Sequence, residues 1–129
     1  MPLARISIPA HLPAPQARAL ADAVHRGLVE TCRVPPDDRF QLISRFAADM
    51  MLWNPSFPDV TRTADACVVE ITFLQGRSDE QKRALYRCVV DQAVAAGFAA
   101  DDIMLTLTEN APIDWSMGRG EAFMGHTHK

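Results

Sequence analysis

Removal of Met1 would leave Pro2 as a secondary amine at the head of the chain, a group that no other coded residue supplies. An ordinary α-amine titrates at about 7.7–8.0. Modest burial or a nearby cation then makes it a general base at neutral pH, and its nitrogen can also attack carbonyls. Three internal clusters could work with such an amine. In Pro35-Pro36-Asp37-Asp38-Arg39-Phe40, adjacent acids followed by a cation could orient a substrate or a water, or could form a solvated turn. Gln75-Gly76-Arg77-Ser78 sets a cation beside the start of a helix. That arrangement suits a carboxylate or a phosphate, and it equally suits plain surface charge. In Asp114-Trp115-Ser116-Met117-Gly118-Arg119-Gly120, Trp115 and Met117 either line an apolar pocket or pack a C-terminal hairpin.

Two similar units must position these groups. Arg5-Ile6-Ser7-Ile8 alternates polar and apolar residues as a half-buried strand does. A helix is predicted from Pro15 to Cys32, with Leu20, Val24 and Leu28 on one stripe, and Val34-Pro35-Pro36 stops it. Alternation returns from Phe40 to Phe46. The pattern then repeats. Val68 to Phe73 reads as a strand, Ser78-Asp79-Glu80-Gln81 as a capping box, and a helix follows to about Ala96, with Leu85, Val89 and Ala93 on one face and Gly97 ending it. Ile103 to Thr108 is the fourth strand. The step from Arg5 to Gln41 equals the step from Val69 to Leu105, which predicts units of equal length. The expected fold is therefore α/β (α+β): duplicated βαβ units forming a four-stranded sheet, with both helices on one face. One domain spans residues 1–129, its repeats at about 2–46 and 66–109 and a C-terminal hairpin or tail at 110–129. The loop from Ala47 to Ala66, with Trp53 in it, is long enough to close over a pocket or pack against a neighbouring subunit.

Composition excludes several classes. A net charge of −3 supplies no general attraction for nucleic acid. No apolar run approaches the roughly 20 residues of a membrane span, and the start lacks the pattern of a signal peptide. Cys32, Cys67 and Cys88 lie outside any CxxC pattern and read as reduced thiols, so the cytoplasm is the expected compartment. His126 and His128 read as a tail and not as a metal site, and His25 as structural. With no GxGxxG, Walker, GxSxG or HExxH motif, no cofactor is expected.

Five segments in register resemble the tautomerase superfamily, specifically its malonate semialdehyde decarboxylase-like group. They are Met1-Pro2-Leu3, Ala23-Val24-His25-Arg26, Val34 to Gln41, Arg77-Ser78-Asp79-Glu80-Gln81-Lys82, and Asp114 to Gly120. The resemblance implies a homotrimer with the amino-terminal proline at the base of a pocket near a subunit boundary. It assigns Pro2 as the catalytic proline, Asp38 as the acid and Arg77 as the second of two active-site arginines. The first arginine falls at Gln75, which carries no charge, and Met117 stands where the family often has Phe. Trp115 would help to exclude solvent. The implied activity is cofactor-independent keto–enol tautomerisation of small 2-oxo acids, with Arg77 on the carboxylate, Asp38 orienting substrate or water, and Pro2 as general base. A protonated Pro2 implies instead a malonate semialdehyde decarboxylase or hydratase type of chemistry. The alternative from another class is a non-catalytic trimeric binder of anionic metabolites.

Overall fold

Alternation at the head of the chain becomes strand β1 (Pro2–Pro9), which inserts between two others in a sheet of order β2-β1-β3-β4. The structure is a computed structural model and describes residues 1–123; His126 and His128 lie outside them. Helix α1 (Ala14–Cys32) leads to β2 (Gln41–Phe46), and β3 (Cys67–Leu74) leads through α2 (Asp79–Ala95) to β4 (Ile103–Asn110). The pairs β1–β2 and β3–β4 are parallel, as a crossover helix between paired strands requires, while β1 and β3 join the units antiparallel. The duplicated βαβ fold is therefore present. The two units differ in length by one residue, because Ala4 is the partner of Gln41 whereas Val69 is the partner of Leu105. The equal spacing expected from sequence missed this, since register depends on connectors that carry no periodic signal.

The apolar stripes explain which faces meet. Leu20, Val24 and Leu28 from α1 and Leu85, Val89 and Ala93 from α2 are all buried. They share one core with Ala4, Ile6 and Ile8 of β1 and Val69, Ile71 and Phe73 of β3. The helices pack tightly at Gly27, where an added Cβ would lie 2.8 Å from Val89 Cγ2. Ser78 and Gln81 form the expected capping box: Gln81 N–H donates to Ser78 Oγ at 3.1 Å, and Ser78 N–H to Gln81 Oε1 at 2.9 Å.

Two connections are held by side-chain bonds. Residues 111–123 contain a short 3₁₀ turn at Pro112–Asp114 and no hairpin, because Asp114 Oδ2 accepts from Ala111 N–H at 3.0 Å and curls the chain locally. The long middle loop folds back on its own chain. Thr63 donates through N–H and Oγ1 to the carboxylate of Asp102 at 2.7 and 2.6 Å, and Asp102 is itself buried. Among the described residues, no helix is long and apolar enough to cross a membrane.

Candidate active site

The turn that carries Asp38 is clamped from behind. Asp38 N–H donates to Pro35 O at 3.0 Å, which closes the turn, and His25 Nε2 donates to Pro36 O at 2.9 Å from α1. Arg39 faces away from Asp38. Its guanidinium donates to Asp22 Oδ1 at 2.7 Å and to Gln41 Oε1 at 2.9 Å, so it ties the turn to α1 and β2. The Arg39 hydrogen bond is the main reason that the Asp22 carboxyl sits below its ordinary range; partial burial works against it and Arg18 adds to it. His25 and Arg39 are thus structural supports, and Asp38 is left to face the chain start.

There the α-ammonium of Met1 lies 3.2 Å from Asp38 Oδ2, and both side chains are largely buried. Pro2 follows, buried at the first position of β1 and paired with Phe73. A strand opening suits proline, because the missing N–H costs no ladder bond there. The other Asp38 oxygen, Oδ1, is buried and accepts no hydrogen bond from any described residue. A buried carboxylate oxygen left in that state is costly unless something binds to it. Asp38 itself borders a cavity of about 570 Å³, within the size range of small-molecule sites, that Met1, Arg33, Phe40, Arg77 and Phe123 also help to line.

Arg77 enters from the turn between β3 and α2 and is held on three sides. It donates to Leu74 O at 2.9 Å and to Cys32 O at 3.2 Å, and its guanidinium carbon lies 5.0 Å from the Phe73 ring centre. A guanidinium carries five N–H donors, so capacity remains for a ligand. Met1, Asp38 and Arg77 therefore meet at one cavity, although they come from the chain start, the turn before β2 and the turn after β3; Pro2 lies buried directly behind Met1 and is not on the lining.

The remaining residues singled out from sequence lie around this cavity. Gln75 lines an adjoining polar recess of about 410 Å³ with Cys32, Arg33, Gly76, Arg77 and Gln81. Trp115 is half-buried and does not line the main cavity; its Nε1 donates to Asn110 Oδ1 at 2.6 Å. Its carbonyl accepts from Phe123 N–H at 2.8 Å, so the apolar wall is contributed by Phe123 with Trp115 behind it. Met117 is 42% exposed and also stands off the lining. Sequence reasoning overlooked Arg33, Phe40 and Phe123. The one available signal was Arg33, a cation directly after a predicted helix end. A larger groove of about 720 Å³ runs along α2 past Arg83, Tyr86 and Val94, but it does not include the amine.

An amine against a carboxylate, with a fixed guanidinium and an apolar wall, suits proton transfer on a small anionic carbonyl compound. Comparison with known proteins agrees. The family model described as tautomerase enzyme matches residues 38–118, a span that opens at Asp38 and includes Arg77. The Bacillus subtilis (strain 168) protein named Probable tautomerase YusQ is 33% identical over 106 residues, covering 81% of this chain and 84% of its own. Probable tautomerase YrdN from the same strain is 29% identical over 123 residues, covering 95% of each. Among solved structures, FG41 malonate semialdehyde decarboxylase inhibited by 3-bromopropiolate superposes with a TM-score of 0.87 at 31% identity, covering 92% of this chain and 91% of the other. The fused 4-OT symmetric trimer, at 18% identity and a TM-score of 0.77 over 93% of this chain and 94% of its own, shares the fold. The chain is an enzyme of the tautomerase superfamily, in its malonate semialdehyde decarboxylase-like group.

Proposed function

We propose that, once Met1 is removed, the Pro2 amine acts as the general base of a cofactor-independent keto–enol tautomerase for small 2-oxo acids. The observation that carries this reading is the amine–Asp38 contact of 3.2 Å within a cavity that Arg77 also lines. Loss of one residue would draw the chain start back by one position and leave a secondary amine near Asp38. Arg77 then holds the substrate carboxylate, and Pro2 takes the enol hydroxyl proton and returns it to the neighbouring carbon. Asp38, whose Oδ2 faces the terminal amine, orients the substrate or a water beside it. Phe40 and Phe123 keep bulk water away, which strengthens each charged contact. Trp115 supports Phe123, and Gln75 and Met117 border the site.

Two solved relatives above 25% identity are named as malonate semialdehyde decarboxylases, and one of them is described as having decarboxylase and hydratase activities. A protonated Pro2 would direct the same cavity towards that acid chemistry. Gln75, a neutral amide, polarises a carboxylate and carbonyl less than a cation in its own position would, whereas the Asp38 carboxylate beside the amine favours the protonated form. The assembly that fits is a homotrimer. Edge strand β2 exposes Leu42, Ile43 and Phe46, an apolar edge that a second copy would cover.

Ketonisation of phenylenolpyruvate by Met-processed protein, run beside Pro2→Ala, tests the reaction. The variant is expected to lose about 10²- to 10⁴-fold in kcat/KM, the usual range for a positioned general base. Equal rates in the two proteins would rule Pro2 out as the base.

A further inference from the structure

The cavity contains a second cation that the proposed reaction has not used. Arg33 lines both the 570 Å³ cavity and the 410 Å³ polar recess, and Arg77 is the other cation common to both. The two are coupled through the backbone: Arg77 Nη2 donates to the carbonyl of Cys32, the residue immediately before Arg33. Arg77 is fixed by carbonyls and a ring, none of which neutralises it. The Arg33 guanidinium makes no hydrogen bond or ion pair with any described residue. The carboxylate of Asp38 already faces the terminal amine. Arg33 is exposed at the rim and Asp37 also lines this cavity, so the repulsion between the two guanidiniums is screened, and an anion seated between them would relieve what remains.

The backbone of Arg33 is a second, independent observation. It caps α1 at φ 59 and ψ 30, a left-handed conformation in which its N–H reaches Leu28 O. Helix ends of this type ordinarily carry glycine or asparagine, because a Cβ there is strained. An arginine held in that conformation, with its side chain at the mouth of a cavity, points to a use for the side chain.

We infer that Arg33 is a second carboxylate-binding residue of this cavity, supplying from the end of α1 the charge that Gln75 lacks at the start of α2. Its ligand class is the carboxylate of a small 2-oxo acid, gripped between Arg33 and Arg77. The inference rests on the proposed reading of the cavity for its ligand class, but it does not require turnover.

Arg33→Gly tests it without endangering the fold, since glycine occupies a left-handed cap with no strain. Binding is measured by calorimetry in Met-processed Pro2→Ala protein, with phenylpyruvate as the anionic probe and phenylacetone as its carboxylate-free counterpart. Arg33→Gly is expected to weaken phenylpyruvate roughly ten- to hundredfold, as loss of a charge-assisted bond does. Phenylacetone binding and Tm should hold, and Arg33→Lys should recover part of the loss. Phenylpyruvate bound within about twofold of the parent by Arg33→Gly would overturn the inference, since loss of even one neutral hydrogen bond exceeds that. So would an equal loss of phenylacetone, or a parent that does not prefer the acid. Binding that depends on Arg33 in a protein that ketonises nothing would defeat the reaction and leave the inference standing. Turnover that survives Arg33→Gly with KM unchanged would do the reverse.

Discussion

Arg39 follows two acids in the chain, yet in the fold it bonds Asp22 and Gln41 and leaves Asp38 facing the amine. That pairing makes the turn's stability depend on pH. Asp22 has its carboxyl lowered chiefly by the Arg39 hydrogen bond, so its contribution is fully present above the ordinary carboxylate value of about 3.9. The contribution fades as pH falls through the lowered folded-state value. Asp22→Asn is therefore expected to cost about 0.5 kcal/mol in urea unfolding at pH 7, since the pair is 42% exposed at Asp22 and screened by solvent. The difference from the parent should shrink as pH falls through the lowered Asp22 range; a constant difference at all pH values would show that the pair is not the cause. Which arginine reaches the cavity was only partly legible from residue order. Arg77 sits at a recognisable strand-to-helix turn. Arg33 owes its place to a left-handed helix cap, which adjacent residue types do not announce, and Arg39 had the more suggestive neighbours.

The elements were far easier to read than their connectors. Leu20, Val24 and Leu28 recur at helical spacing and are buried, and the Ser78–Gln81 box forms as its residues require, because both signals are local. The connection after β4 was not legible. Asn110 and Asp114 each satisfy a nearby N–H donor and turn the chain away from a hairpin, so Phe123 takes the wall position that Trp115 and Met117 had suggested. Gly27 shows what the helix pair requires. A methyl there would meet Val89 Cγ2 at 2.8 Å and Leu85 Cδ1 at 3.2 Å. Alanine gains about 1 kcal/mol of helix propensity, but overpacking costs typically 1–3 kcal/mol. Gly27→Ala should therefore lower Tm by a few degrees. A raised Tm would show that the helices can separate at no cost.

At the scale of the whole molecule, the fold gathers an amine, an acid and two guanidiniums from three separate stretches of chain at one cavity. The family resemblance had pointed to Asp38 and Arg77, which line this cavity, and to Pro2, which follows the Met1 that does. The apolar β2 edge was legible only as a strand with an open side. Sedimentation at micromolar concentration should show three copies, and Leu42→Glu should shift the protein towards single chains; a monomeric parent would contradict the assembly. The central claim concerns the amine beside Asp38. Its most direct test compares phenylenolpyruvate ketonisation by two preparations distinguished by mass, one retaining Met1 and one starting at Pro2. The account predicts turnover in the processed protein, abolished by Pro2→Ala, and little or none where Met1 occupies the cavity. Equal turnover with Met1 in place would contradict it, because the secondary amine would then be neither free nor needed.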